Sequence, residues 1–173
     1  MHGGPNKVHM QRVLGIDPGL QNTGYGAVAL PRGAFEPTLI EAGVIRLNRH
    51  ESLESRLGQL YTSLKQVIDE LEPTSMAVEN LYAHYRHPRT AILMAHARGV
   101  ILLVAQQCSL SIEHLPSTVV KRAVTGYGHA SKQQIQHAVA QQMGLARPPS
   151  PPDVADAIAI AITHARRIGL QRQ

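Results

Sequence analysis

Arg12-Val-Leu-Gly-Ile-Asp-Pro-Gly19 is an apolar, strand-like run that ends in an acid and a Pro-Gly turn. A second run, Gly24-Tyr-Gly-Ala-Val-Ala-Leu30, and a third, Leu39 to Leu47, follow, parted by the turn residues Pro31-Arg-Gly33. Connections this short join only antiparallel neighbours, so the chain opens with a three-stranded antiparallel ribbon. The period then changes. Leu53, Leu57, Leu60, Leu64, Ile68 and Leu71 recur at spacings of four and three, the stripe of an amphipathic helix over Glu51 to Leu71. Glu72-Pro73 ends it.

Further on, Met76 to Val78 reads as a buried strand leading to Glu79, and Ser111 to Leu115 as a fifth strand. Thr90 to Gln107 is helical and apolar on nearly every side, which fits either a central buried helix or one half covered by a dimer partner. Three more helical segments, Ser117 to Val124, Ser131 to Met143 and Asp153 to Arg167, complete the pattern. The class is α/β, one mixed sheet with helices on its faces. Strand one in the middle of that sheet would bring Asp17 and Glu79 to neighbouring strand ends. The 173 residues fit one domain, expected over 12–168, with residues 1–11 as a disordered leader or cloning remnant and 169–173 as a tail. Arg147-Pro-Pro-Ser-Pro-Pro152 is a stiff loop rather than a boundary.

Charge is unevenly placed. Between Asn80 and Pro152 stand Arg86, Arg89, Arg98, Lys121, Arg122, Lys132 and Arg147, with Glu113 the only carboxylate. Glu79 borders this stretch on one side, Asp153 and Asp156 on the other. The net charge of +5 favours an acidic partner such as nucleic acid. One cysteine, Cys108, excludes an internal disulfide and a Cys-based zinc site, and fits a reducing cytoplasm. The longest apolar run, Val100 to Ala105, is far short of a membrane span, and no membrane association is expected.

Singly, each acid has an ordinary explanation. Asp17 before Pro-Gly is a turn former, Glu79 a solvated strand end, and Asp153 and Asp156 favourable charges at a helix start. Together they make a different proposition. Two strand ends and a helix start can gather four carboxylates at one sheet edge, and a spacing of three puts both helix acids on one face. Crowded acids repel unless a cation neutralises them. Oxygen-only ligands suit magnesium or manganese, and a two-metal carboxylate site can hydrolyse a phosphodiester. The ten histidines show no convincing ligand spacing; His129 alone is kept as a candidate proton donor or acceptor.

Val13-Leu-Gly-Ile-Asp-Pro-Gly-Leu-Gln-Asn-Thr-Gly-Tyr-Gly26, Met76-Ala-Val-Glu-Asn80 and Asp153-Val-Ala-Asp-Ala-Ile-Ala-Ile-Ala-Ile-Thr-His164 resemble the RuvC family of bacterial Holliday-junction endonucleases, in the family's order. The resemblance implies an RNase H-like fold with a mixed five-stranded sheet. It implies catalytic, metal-binding Asp17, Glu79, Asp153 and Asp156 holding magnesium, with manganese as a substitute and two ions per site. It further implies a homodimer that makes paired symmetric nicks in a four-way DNA junction through metal-activated water, in cooperation with the RuvA–RuvB complex.

Lys121 and Lys132, each readable as a solvated helix residue, match lysines that the family uses near the scissile strand. Tyr82 stands where the family places an aromatic that stacks at the opened junction; packing on the sheet edge is the plainer reading. Arg86 and Arg89 extend the same DNA-facing loop. The rivals are an RNase H-like nuclease of the YqgF type acting on structured RNA, an ATP-binding protein of the sugar-kinase and actin group, and a non-catalytic junction-binding module. The second would need another domain for which this chain has no room.

Overall fold

The computed structural model describes residues 10–80 and 88–171. The elements run β1 (Gln11–Asp17), β2 (Asn22–Leu30), β3 (Thr38–Arg46), α1 (Leu53–Leu71), β4 (Ser75–Glu79), α2 (Pro88–Gln107), β5 (Ser111–Leu115), α3 (Ser117–Thr125), α4 (Lys132–Gln142) and α5 (Pro152–Gln171). They form one mixed five-stranded sheet in the order β3-β2-β1-β4-β5. β1 pairs antiparallel with β2 and parallel with β4, and β4 pairs parallel with β5. This is the expected architecture, with β1 at the centre.

The period of two along each strand divides the core between two faces. Leu14 and Ile16 of β1, with Met76 and Val78 of β4, point towards α1 and α2. Val13 and Ala77 point the other way, into a cluster with α3, α4 and α5. Asp17 and Glu79 follow in phase with Val13 and Ala77, so alternation aims both carboxylates at the α5 side.

Two helices begin or end on local chemistry. The Ser52 hydroxyl accepts from the Ser55 N–H at 3.2 Å to cap α1. α1 stops at Glu72, left-handed at φ 46°, just before Pro73. Ser131 and Gln134 form a reciprocal capping box at the start of α4, which fixes where Lys132 begins the helix.

The central buried helix is α5, not α2. Ten α5 residues are buried, from Val154 to Ala165. α2 buries Ala97, Ile101, Val104 and Ala105 and exposes Ile92 and Leu103 at 58% and 51%. α2 lies instead at the flank, with one face in the core and the other exposed. By length and composition α2 is apolar enough to cross a membrane, which the run-by-run reading of the sequence passed over; here its inner face packs into the core beside α1. α5 also continues to Gln171, past the expected end at Arg167.

Small residues seat α5 on the sheet. A Cβ on Gly15 would collide with the Ala157 carbonyl oxygen, and one on Gly24 with that of Asp153. Both obstacles are backbone and cannot swing aside. The glycines therefore admit a close helix approach that larger side chains would block. Gly24 fixes how near the first turn of α5 comes to β2, and with it the position of Asp153.

Candidate active site

Asp17 closes β1 and Glu79 closes β4, one residue beyond the paired Ile16 and Val78. Asp153 and Asp156 stand in the first two turns of α5, three residues apart, above the same strand ends. All four line a single cleft of about 600 Å³ together with Lys121 of α3 and Lys132 of α4. Its remaining wall is the Pro18 to Asn22 loop, Arg56 of α1, Thr90, Leu93 and Met94 of α2, and Ser117 and Ile135.

The loop after Asp17 is held from below. Buried Thr23 donates its hydroxyl to the Gly19 carbonyl at 2.6 Å and accepts from the Gly19 N–H at 3.2 Å. Arg56 donates from Nε to the Leu20 carbonyl at 3.1 Å. These bonds shape the turn that the sequence assigns to Pro-Gly alone. The sequence does not single out Arg56, Thr23 or Ser117, and it shows Arg98 only as one of a basic stretch; the partners of Arg56 and Arg98 are distant in the chain, whereas that of Thr23 is only four residues away.

Burial and mutual repulsion act on three of the four carboxyls. Burial, then Asp156, Glu79 and Asp153, push the Asp17 carboxyl well above its ordinary range, against a smaller opposing pull from Lys132. Burial raises Glu79 as well, with the Ser117 hydroxyl bond, Lys121 and Lys132 pulling down and Asp156 pushing up. Asp156 is raised by burial and Asp153 and lowered by Lys132 and Lys121. Acids this crowded favour a positive occupant.

The donor set fits a hard divalent cation, being all oxygen. Among the described residues no three acids or histidines close into a ready-made cage; the acids edge an open cleft. An open rim of this kind can leave part of a hard cation's coordination shell to water.

Lys121 and Lys132 stand in no ion pair among the described residues. Glu113, the one acid within the basic stretch, is bound by Arg167 at 2.8 Å. Two ammonium groups thus face the acids, free for a phosphate. Arg89 is exposed at the first turn of α2, beside Thr90 on the cleft wall. Tyr82 and Arg86 lie outside the described residues, as do His84 and His87. His129 packs edge-on against Tyr127, ring centres 5.7 Å apart, and is not part of the cleft wall.

The family model of crossover junction endodeoxyribonuclease RuvC matches residues 13–164. A crossover junction endodeoxyribonuclease RuvC from Rhodopirellula baltica is 47% identical over 150 residues, covering 87% of this chain and 83% of that one. The Desulforamulus reducens protein of the same name is 42% identical over 154 residues, covering 89% and 93%. The structure of Thermus thermophilus RuvC in complex with Holliday junction substrate superposes with a TM-score of 0.85 at 31% identity, covering 94% of this chain and 97% of that one. The yeast mitochondrial resolvase Ydc2, at 16% identity and a TM-score of 0.62, shares the fold. The mixed sheet, with an acid closing each of its two central strands beneath the first turns of the last helix, is RNase H-like. Matched over nearly all its length, the chain belongs to the RuvC family of crossover junction endodeoxyribonucleases.

Proposed function

We propose that the protein is a structure-selective endonuclease that resolves four-way DNA junctions by paired, symmetric nicks. The observation that carries this reading is the single cleft in which four carboxylates face two lysines that stand in no ion pair among the described residues, in a chain 31% identical to a protein solved on a Holliday junction. Asp17, Glu79, Asp153 and Asp156 would hold divalent metal, magnesium or manganese. When bound, the metal supplies charge neutralisation and an acidified water for phosphodiester hydrolysis.

The chain's own groups do the rest. Lys121 and Lys132 draw the phosphate into the cleft and offset its charge, Lys132 from the first position of α4. The Thr23-braced loop keeps the turn after Asp17 in one shape. Tyr82, Arg86 and Arg89 belong to the segment that would meet the opened centre of the junction.

Paired cutting calls for two sites related by two-fold symmetry. The exposed Ile92 and Leu103 of α2 support a second copy of this chain as the cover of that face. The resemblance extends the reading to cooperation with a RuvA–RuvB branch-migration complex. A lone, half-buried Cys108 fits a reducing cytoplasm.

The test is a set of labelled substrates offered to the wild-type protein with magnesium: a synthetic four-way DNA junction, linear duplex and structured RNA. Cutting of the junction alone supports the proposal. Cutting of the RNA in its place would transfer the activity to the YqgF-type reading.

A further inference from the structure

Arg98 lies on the inner side of α2, between the buried Ala97 and Ile101. It is absent from the cleft wall, where α2 contributes Thr90, Leu93 and Met94. Its guanidinium donates from Nη1 to the main-chain carbonyl of Glu79 and from Nη2 to Nδ1 of His114. His114 sits on β5 opposite Val78. One planar fork therefore ties α2 to the last residue of β4 and to its neighbouring strand. No carboxylate pairs with Arg98 among the described residues. Burial disfavours its charge, and the nearby Glu79 supports it.

Glu79 is the last residue of β4: it pairs with Leu115 of β5, but the β1 register stops one residue before it, at Ile16 and Val78. Beyond it, Asn80 donates to the Leu115 carbonyl at 2.8 Å. The Glu79 carbonyl is secured from the helix instead. We propose that Arg98 is a positioning residue for Glu79: by holding the end of β4 against α2 and β5, it sets where the Glu79 carboxylate meets the other three acids. This rests on the functional reading above and adds a residue that touches neither substrate nor metal. A guanidinium has the two-pronged geometry that the double acceptor requires; an ammonium can serve the Glu79 carbonyl alone.

The experiment compares wild type, Arg98→Ala and Arg98→Lys, each also carrying Glu79→Gln, in the full chain. Four quantities are read: cleavage rate at saturating four-way junction, junction Kd, Mn2+ binding by calorimetry, and thermal midpoint. The buried Ala97, Ile101, Val104 and Ala105 keep α2 docked when residue 98 is shortened, so the variants fold. Arg98→Ala should lower both cleavage rate and Mn2+ affinity by about 10- to 100-fold, with junction Kd unchanged. Arg98→Lys should recover much of the loss. In the Glu79→Gln background, Arg98→Ala should add nothing to the loss of Mn2+ affinity.

Wild-type rate and Mn2+ affinity in Arg98→Ala would overturn the proposal. So would a loss that adds fully to that of Glu79→Gln, or one that follows thermal midpoint and junction Kd together without recovery by lysine. A wild type that cuts no junction would remove the functional reading itself, an outcome distinct from a cutting wild type and an equally active Arg98→Ala.

Discussion

Asp17 stands where burial and three other carboxylates all oppose its charge. Its folded-state pKa is raised above the unfolded value, so the folded protein holds this proton more tightly than the unfolded chain does. Stability from that proton is present below the ordinary carboxylate range and is lost as pH rises through the raised value. Above the ordinary carboxylate range the metal-free fold therefore carries a cost at Asp17, whichever way its proton lies. Asp17→Asn should melt higher than wild type in chelator at pH 7.5, by about 2–4 °C for each kcal/mol relieved. Magnesium should raise the wild type and narrow the gap. Equal melting of the two proteins in chelator would contradict the crowding. At the same scale, Lys132→Ala should lower the cleavage rate at saturating junction by about 100-fold. Arg122→Ala, exposed on α3 and outside the cleft, should leave that rate unchanged in the same assay.

Among the elements, α5 carries half the candidate site and most of one core face, and its seat is glycine. Gly24→Ala places a methyl into the Asp153 carbonyl. That should cost about 1–3 kcal/mol in denaturant unfolding and abolish cleavage by lifting Asp153 and Asp156 from Asp17. Gly58 in α1 has open space around its missing Cβ. Gly58→Ala should therefore stabilise by about 0.5–1 kcal/mol in the same unfolding measurement, with activity kept. The contrast separates glycines that space the helix from glycines that merely loosen it.

Sequence periodicity revealed the strands and helices because side-chain burial imposes it directly: the Leu53 to Leu71 stripe and the apolar run before Asp17 needed no partner to be read. The four acids were legible for the same reason, since they close strands and open a helix. Placement of the helices over the sheet was not legible, although the central position of β1 was. α2 is apolar all round and was open to a central position, yet α5, with its short alanines alternating with isoleucines, fills the middle because Gly15 and Gly24 let it approach. Hydropathy records composition and not the shape of the surface beneath. Arg98 reads as one member of a basic stretch, and Arg56 as an ordinary residue of the α1 stripe's polar side. Their work is main-chain hydrogen bonding across 19 and 36 residues, which no local pattern encodes.

For the whole molecule, one chain presents one acid-lined cleft among the described residues, and paired nicking of a junction calls for two. The α2 face that exposes Ile92 and Leu103 is the surface on which Leu103→Glu should act. Sedimentation equilibrium should show wild type as a dimer and the variant as a monomer. The variant should nick the junction singly or not at all, while its thermal midpoint in chelator stays near wild type.

The most direct measurement of the central claim is product analysis on a four-way junction labelled on opposing strands, with and without magnesium, for wild type and Asp17→Asn. The expected result is symmetric nicks in both strands with wild type and magnesium only, and none with Asp17→Asn although the junction is still bound. Cleavage by Asp17→Asn at the wild-type rate, or wild-type cleavage undiminished by chelator, would contradict a carboxylate metal site as the seat of the activity.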